Sequence, residues 1–228
     1  LLNGSALRYS KVWPTVAAPF CFLLARNNKP VPDSAFYYLN PMPEEVLNRQ
    51  GRMRLDPHTA IPVAQSQART SPYLFKTLFR GTTLDHAVVR RVVEHPLARS
   101  LKSCWRKLGL SNGKGFQIAK KGKKASHLLG KKMLGASDRV GFEIDVPGLR
   151  DFAYSNGLHS PRDPAIYLPP LVLFREAPKL ERTQRGGLLA RAEVVYSESF
   201  IGYSAAGHPQ GEALARYLQL LSYSDLFS

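Results

Sequence analysis

The chain has 228 residues, 44% hydrophobic and 10% aromatic, which is enough apolar material for a core and excludes wholesale disorder. Its longest apolar run, Val16 to Ala25, is broken by Pro19 and is too short for a bilayer; no secretory leader opens the chain, and Cys21 and Cys104 read as two buried thiols in a reducing cytoplasm. The formal net charge is +15, and its distribution says more than its size: residues 1–94 carry 12 Lys/Arg and 6 Asp/Glu, residues 95–137 carry 11 and none, and residues 138–228 carry 9 and 11.

In chain order, the first predicted element is a buried strand over Pro19–Ala25, a continuous aromatic-rich apolar run. Turn residues Asn27 to Asp33 separate it from a second strand, Ala35–Leu39, and the two together predict a hairpin with a long loop. Residues 44–70 are polar with weak periodicity. A short helix is expected over Pro72–Phe79 with Ser71 as its cap. Thr82 and Asp85 stand at capping-box spacing, and Leu84, Val88 and Val92 recur as the buried stripe of an amphipathic helix that runs to about His95. After Pro96, Leu97, Leu101, Trp105 and Leu108 repeat the period, with Arg99, Lys102 and Arg106 off that face.

The second half begins with a glycine-rich stretch, Gly109–Gly115, and a short strand over Phe116–Ile118. Lys120–Lys132 reads as a lysine loop. Val140–Val146 alternates as a half-buried strand does, Leu171–Phe174 is an apolar strand, and Val194–Tyr196 with Phe200–Ile201 adds strand sequence. A final helix opens at Pro209 with Leu214, Tyr217, Leu218 and Leu221 on its apolar face. Strands and helices do not alternate regularly, so the expected class is α+β: an N-terminal β-hairpin and helical spacer over residues 1–95, then a mixed α+β domain over 96–228. The absence of an initiator Met, and an end inside an apolar helical pattern at Ser228, read as two cut ends.

No catalytic signature is complete. Gly109–Lys114 has three residues between its glycines where a phosphate loop needs four, and Gly115 stands where that loop needs Ser or Thr. Gly202–Gly207 has its second glycine one residue late for a nucleophile elbow. The six histidines are not paired at metal spacing, and there is no dinucleotide fingerprint. Catalytic and metal-ligating residues are therefore not assigned. The positive signal is the carboxylate-free block between Glu94 and Asp138. Lys114, Lys120, Lys121, Lys123, Lys124, Lys131 and Lys132 are the type of residue that meets phosphates and positions a duplex without reading bases. Asn112, Gln117, Arg175, Arg182 and Arg185 are candidates for reading base edges, and Gln184 belongs with them. The hydroxyl-rich stretch Tyr196–His208 is a candidate groove-facing loop.

Four segments in order resemble adenine-N6 DNA methyltransferases of the γ type, including single-chain restriction-modification enzymes. Leu2-Asn-Gly-Ser-Ala-Leu-Arg8, with Trp13-Pro14 and Ala18 to Asn27, resembles the end of their catalytic domain. Leu108 to Ile118 resembles the entry to a target-recognition domain, Pro169 to Glu176 a following strand, and Glu212 to Phe227 a helix near that domain's end. The resemblance implies a hairpin closing the methyltransferase domain, then a target-recognition domain that grips double-stranded DNA in the cytoplasm beside the parent's own methyltransferase domain, with no membrane involved. The family's Asn/Asp-Pro-Pro-Tyr/Phe tetrapeptide is missing: Asn40-Pro41-Met42-Pro43 and Leu168-Pro169-Pro170-Leu171 both fail it. The glycine-rich S-adenosylmethionine loop is missing too, so that cofactor is expected upstream in the parent and none is expected on this fragment. The alternatives are a stand-alone nuclease or hydrolase, which needs groups such as Asp56, Glu143, Asp145 or Asp163 converging in a cleft, and an RNA- or protein-interaction module.

Overall fold

Pro96 interrupts the helical period, and the chain divides beside it into two units, Leu1–Ala98 and Arg99–Ser228. The computed structural model describes all residues except 17, 30, 32, 139–140, 155–156, 178–185 and 225–228, with the backbone alone at Arg80 and Lys120. Both units mix helices and strands, and the class is α+β.

In the first unit, β1 (Leu2–Asn3) pairs antiparallel with β2 (Cys21–Phe22). An N-terminal antiparallel pair is therefore present; β2 falls within the expected first strand, Pro19–Ala25, but it is exposed rather than buried and its partner is β1 rather than the strand at 35–39. The strand at 35–39 forms as β3 (Ala35–Tyr38) and pairs instead with β4 (Ile61–Ala64), Tyr38 opposite Ile61. The sequence of β4 hid this because Pro62 interrupts it. Proline is tolerated in a two-stranded sheet, where both strands are edges and one donor can be spared. Alternation then turns Phe36, Tyr38 and Val63 inward, where they meet Leu74 and Leu78 of α3 (Leu74–Arg80). The helices α1 (Glu45–Arg49) and α2 (Gln65–Thr70) precede α3. The cap of α3 is Tyr73, without a side-chain hydrogen bond, rather than Ser71.

The next helix, α4 (Thr83–Val93), has the complete capping box: the Thr82 hydroxyl accepts from the Asp85 backbone N–H, and the Asp85 carboxylate accepts from the Thr82 N–H at 2.6 Å. Its orientation differs from expectation. Leu84, Val88 and Val92 are 72%, 57% and 64% exposed, whereas His86 is buried. Two stripes with helical period overlap on α4, and on the second, at His86, Val89, Arg90 and Val93, His86 is buried and the stripe lines a cleft together with Thr70–Tyr73. Hydrophobicity alone ranks the Leu84 stripe first, so this choice was not legible in the sequence. Cys21 and Cys104 are also both exposed rather than buried.

The second unit begins with α5 (Leu101–Lys107), whose cap Ser100 accepts from the Ser103 N–H at 3.2 Å. Four antiparallel strands follow in the order β5 (Asn112–Lys114), β11 (Phe200–Ser204), β8 (Leu171–Arg175) and β9 (Leu188–Ala190). The apolar run of β8 is buried on both faces, which is why its sequence is continuous rather than alternating. One face, with Leu171, Leu173 and Phe200, packs on Phe116, Leu158 and Tyr196. The other, with Val172, Phe174 and Tyr203, is covered by Trp105 of α5 and by Ala215 and Leu218 of α6 (Gly211–Ser222). The Trp105 indole donates to the Ser204 carbonyl at 2.7 Å, so the largest buried side chain here also satisfies its polar atom. On α6, Leu218 is buried as expected, whereas Tyr217 is exposed.

The remaining strands are β6 (Ile118–Lys123), and β7 (Met133–Leu134) paired parallel with β10 (Val195–Tyr196). Residues 120–123 of the expected lysine loop are thus strand. Of the expected strand at 140–146, residue 140 lies outside the described residues; the rest has Ile144 and Val146 inside but, among the described residues, forms a single bridge, Glu143 to Leu189. Among the described residues no helix is long and apolar enough to cross a membrane.

Candidate nucleic-acid interface

Of the seven candidate lysines from Lys114 to Lys132, the six whose side chains are described divide into two sets once carboxylates from later in the chain fold back onto them. Lys114 on β5 reaches both oxygens of Glu176, at 2.8 and 3.0 Å. The two residues fall on one side of the sheet, since Lys114 stands opposite Ile201 and Ile201 opposite Phe174, two residues before Glu176. Lys131 pairs with Glu193, and Lys132 with Asp151 at 3.0 Å. Such ion pairs contribute about 0–1 kcal/mol each when exposed, but they remove these three ammonium groups from the pool of bare charge.

Lys121, Lys123 and Lys124 are exposed and have no carboxylate partner among the described residues. Their direction follows from Gly122. A Cβ there would lie 2.4 Å from the backbone of Gly157 and Leu158, so this residue faces the 157–158 segment and only glycine fits the approach. Side chains alternate along a strand, which turns Lys121 and Lys123 away from that segment into solvent. Both ends of β6 bridge Leu158, a buried core residue, and this anchors the lysine-bearing strand. The backbone of Lys120 lies in the same strand; its side chain is outside the described residues.

The base-reading candidates separate as well. Arg175 is 7% exposed. Its guanidinium donates to the carbonyls of Ala136 at 3.0 Å and Asp138 at 2.8 Å, and it lies 4.6 Å over the Phe200 ring. That is a structural clamp inside the fold, and the side chain is not available to a base edge. Asn112 lies on edge strand β5, and Gln117 lies between β5 and β6; both are half-buried. Arg182, Gln184 and Arg185 lie outside the described residues. Of the hydroxyl-rich stretch, Tyr196 is buried, donating to the carbonyls of Gly113 at 3.0 Å and Ile166 at 3.3 Å. Burial raises the Tyr196 phenol far above its usual range, and nearby Tyr167 is raised for the same reason. Neither is a hydroxyl facing a groove. Ser197, Glu198 and Ser199 form the turn between β10 and β11 and line a cleft.

Lys102 and Arg106, placed by the sequence off the apolar face but not among the phosphate-binding candidates, lie four residues apart on one side of α5, both exposed. They stand at the i, i+4 spacing that places charges together. Sequence reasoning missed Arg150, which lines the cleft behind β6. Three of the carboxylates named for a hydrolase are engaged in local structure. Asp56 accepts from the His58 N–H and Asp163 from the Ala165 N–H, both as turn caps. Glu143 is bound up with Arg191 at 3.1 Å in a network that includes Glu212 and Arg216. Among the described residues no three His, Cys, Asp or Glu side chains are grouped to hold a metal ion.

No protein family, curated protein or solved structure was found to match the chain. The resemblance to γ-type adenine-N6 DNA methyltransferases therefore stands on the four sequence segments quoted above and on nothing further.

Proposed function

We propose that the chain is the target-recognition portion of an adenine-N6 DNA methyltransferase or restriction-modification enzyme of the cytoplasm, and that Arg99–Ser228 binds double-stranded DNA. In this reading Lys121, Lys123 and Lys124 meet phosphates and fix the register, while Asn112 and Gln117 read base edges. Methyl transfer and the S-adenosylmethionine site belong to the parent's methyltransferase domain, because this sequence has neither the tetrapeptide nor the glycine-rich loop. The observation that carries the reading is the bare lysine set: three exposed cations on and beside one anchored strand, with no carboxylate among the described residues spent on them.

Duplex binding measured against ionic strength tests it. Each neutralised phosphate contributes a slope of about −0.9 in log K against log salt, so three lysines should give roughly −3. Heparin and structured RNA serve as competitors. Duplex DNA should compete at least as well as structured RNA at equal phosphate concentration. A chain that ignores duplex DNA at low ionic strength, or that prefers RNA, contradicts the proposal.

A further inference from the structure

Behind β6 lies a cleft of about 260 Å³. Phe116 and Met133 line its apolar part, Tyr154 and Arg150 another part, and Ser197 and Glu198 add polar groups. Phe116, Phe152 and Tyr154 form a cluster with ring centroids 5.1, 5.5 and 6.3 Å apart. Phe116 and Phe152 are fully buried, so Tyr154 is the member with surface left to stack on. The polar turn is fixed by its backbone. Ser197 N–H donates to the Leu134 carbonyl at 3.1 Å and Glu198 N–H to the Phe116 carbonyl at 2.7 Å.

Three side-chain groups are left over. The Ser197 hydroxyl is buried and has no hydrogen-bond partner among the described residues. The Glu198 carboxylate is half-buried and unpaired among the described residues of a chain with net charge +15, and the Arg150 guanidinium beside the same cleft is likewise unpaired among them. That carboxylate is open to a donor from outside the chain, and an exocyclic amino group is one. The lysines are close by. Ile118 lines the cleft, and Ile118 and Lys123 both bridge Leu158, which puts their backbones within about two strand spacings, roughly 10 Å. Phosphate and base of one nucleotide span a comparable distance.

We infer that this cleft receives a single unstacked nucleobase bearing an exocyclic amino group, with Tyr154 stacking on it, the Glu198 carboxylate accepting from its amino group and the Ser197 hydroxyl bonding its edge, while the bare lysines hold the adjoining phosphates. The inference rests on the DNA-binding reading above and adds a base-sized site to it. Cytosine and thymine discriminate the polar contact, because cytosine offers an amino donor at the position where thymine offers a carbonyl oxygen that Glu198 would repel.

The test uses the whole chain and three short duplexes of otherwise identical sequence: fully paired, with one bulged cytosine, and with one bulged thymine. The cytosine bulge should bind about tenfold more tightly than the thymine bulge, the scale of one good polar base contact. Glu198→Gln should abolish that preference without changing the salt slope, and Tyr154→Leu should weaken both bulged duplexes towards the fully paired one. Circular dichroism and thermal unfolding verify that both variants are folded. Equal binding of the two bulges by the unaltered chain, with a steep salt slope, overturns the cleft while leaving the DNA-binding reading intact. So does a cytosine preference that survives Glu198→Gln. Absence of binding to all three duplexes at low salt overturns both.

Discussion

Lys114, Lys131 and Lys132 differ from Lys121, Lys123 and Lys124 only in what the fold brings to them. All six come from one carboxylate-free stretch and are equivalent as sequence. Glu176, Asp151 and Glu193 arrive from distant segments and neutralise the first three, while the second three stay in solvent. A charge run is therefore an upper bound on a polyanion-binding surface. The part left over after tertiary ion pairing is the functional quantity, because a lysine already paired must break that pair before it can release a counterion from DNA. The same contrast recurs between neighbours on α4. Asp85 has its donors in Thr82, whereas both ring nitrogens of buried His86 are without hydrogen-bond partners among the described residues.

The largest effect expected on stability comes from the cation most deeply committed to the fold. Arg175→Leu should cost about 2–3 kcal/mol, the scale of losing a pair of charged hydrogen bonds, here to the carbonyls of Ala136 and Asp138, and should leave the salt slope of DNA binding unchanged. A Tm shift without a slope change places Arg175 inside the scaffold; a slope change with little loss of stability would move it to the interface. Next is the reverse experiment on the paired lysines. Asp151→Asn, Glu176→Gln and Glu193→Gln combined should uncover three ammonium groups and steepen the slope by up to about 3, at about 0.9 per added phosphate contact. An unchanged slope would show that those lysines lie away from the DNA. His86→Leu should raise stability by about 1 kcal/mol or more, since an apolar side chain carries no unsatisfied polar atom into the site. Thermal unfolding reads this, and a lower Tm would reveal a partner for the imidazole.

The smallest expected effect is at the cap of α4. Thr82→Ala should lose about 1 kcal/mol. Backbone and side-chain hydrogen bonds from Thr82 hold the Asp85 carboxyl below its ordinary value. A folded-state pKa that is depressed contributes stability above the unfolded value of about 4, and that stability is lost as pH falls through the folded value. Unfolding followed between neutral and strongly acidic pH should therefore show a decline in acid that Asp85→Asn reduces. An identical profile for the variant would mean that the cap has no linkage to pH.

Local chemistry was the most legible part of the fold. The capping box of α4 needs only Thr82 and Asp85 three residues apart, β8 needs only its own apolar run, and α6 follows Pro209 as expected. Pairing was not legible. β3 is bonded to β4 from a stretch that carries Pro62 and little alternation, and nothing local to residues 19–39 reports that choice. The buried face of α4 was missed because His86 is polar while the exposed Leu84, Val88 and Val92 are apolar. At the candidate site the block of lysines was visible, but its division was not, since each deciding carboxylate is remote in sequence. Arg175 was misjudged for a related reason: a long cationic side chain at the end of a buried strand can turn inward when carbonyls such as those of Ala136 and Asp138 wait for it. The base-sized cleft depends on Arg150, Tyr154 and Ser197 converging from three places, which periodicity does not register.

The central claim is that bare lysines, and not lysines in general, form the contact with DNA. Two triple variants test it directly in one salt titration: Lys121, Lys123 and Lys124 changed to Ala, and Lys114, Lys131 and Lys132 changed to Ala. The first should flatten the slope of log K against log salt by nearly 3 units, at about 0.9 per phosphate, and the second should leave it near that of the unaltered chain. Equal losses from the two triples, or a larger loss from the second, would contradict the account.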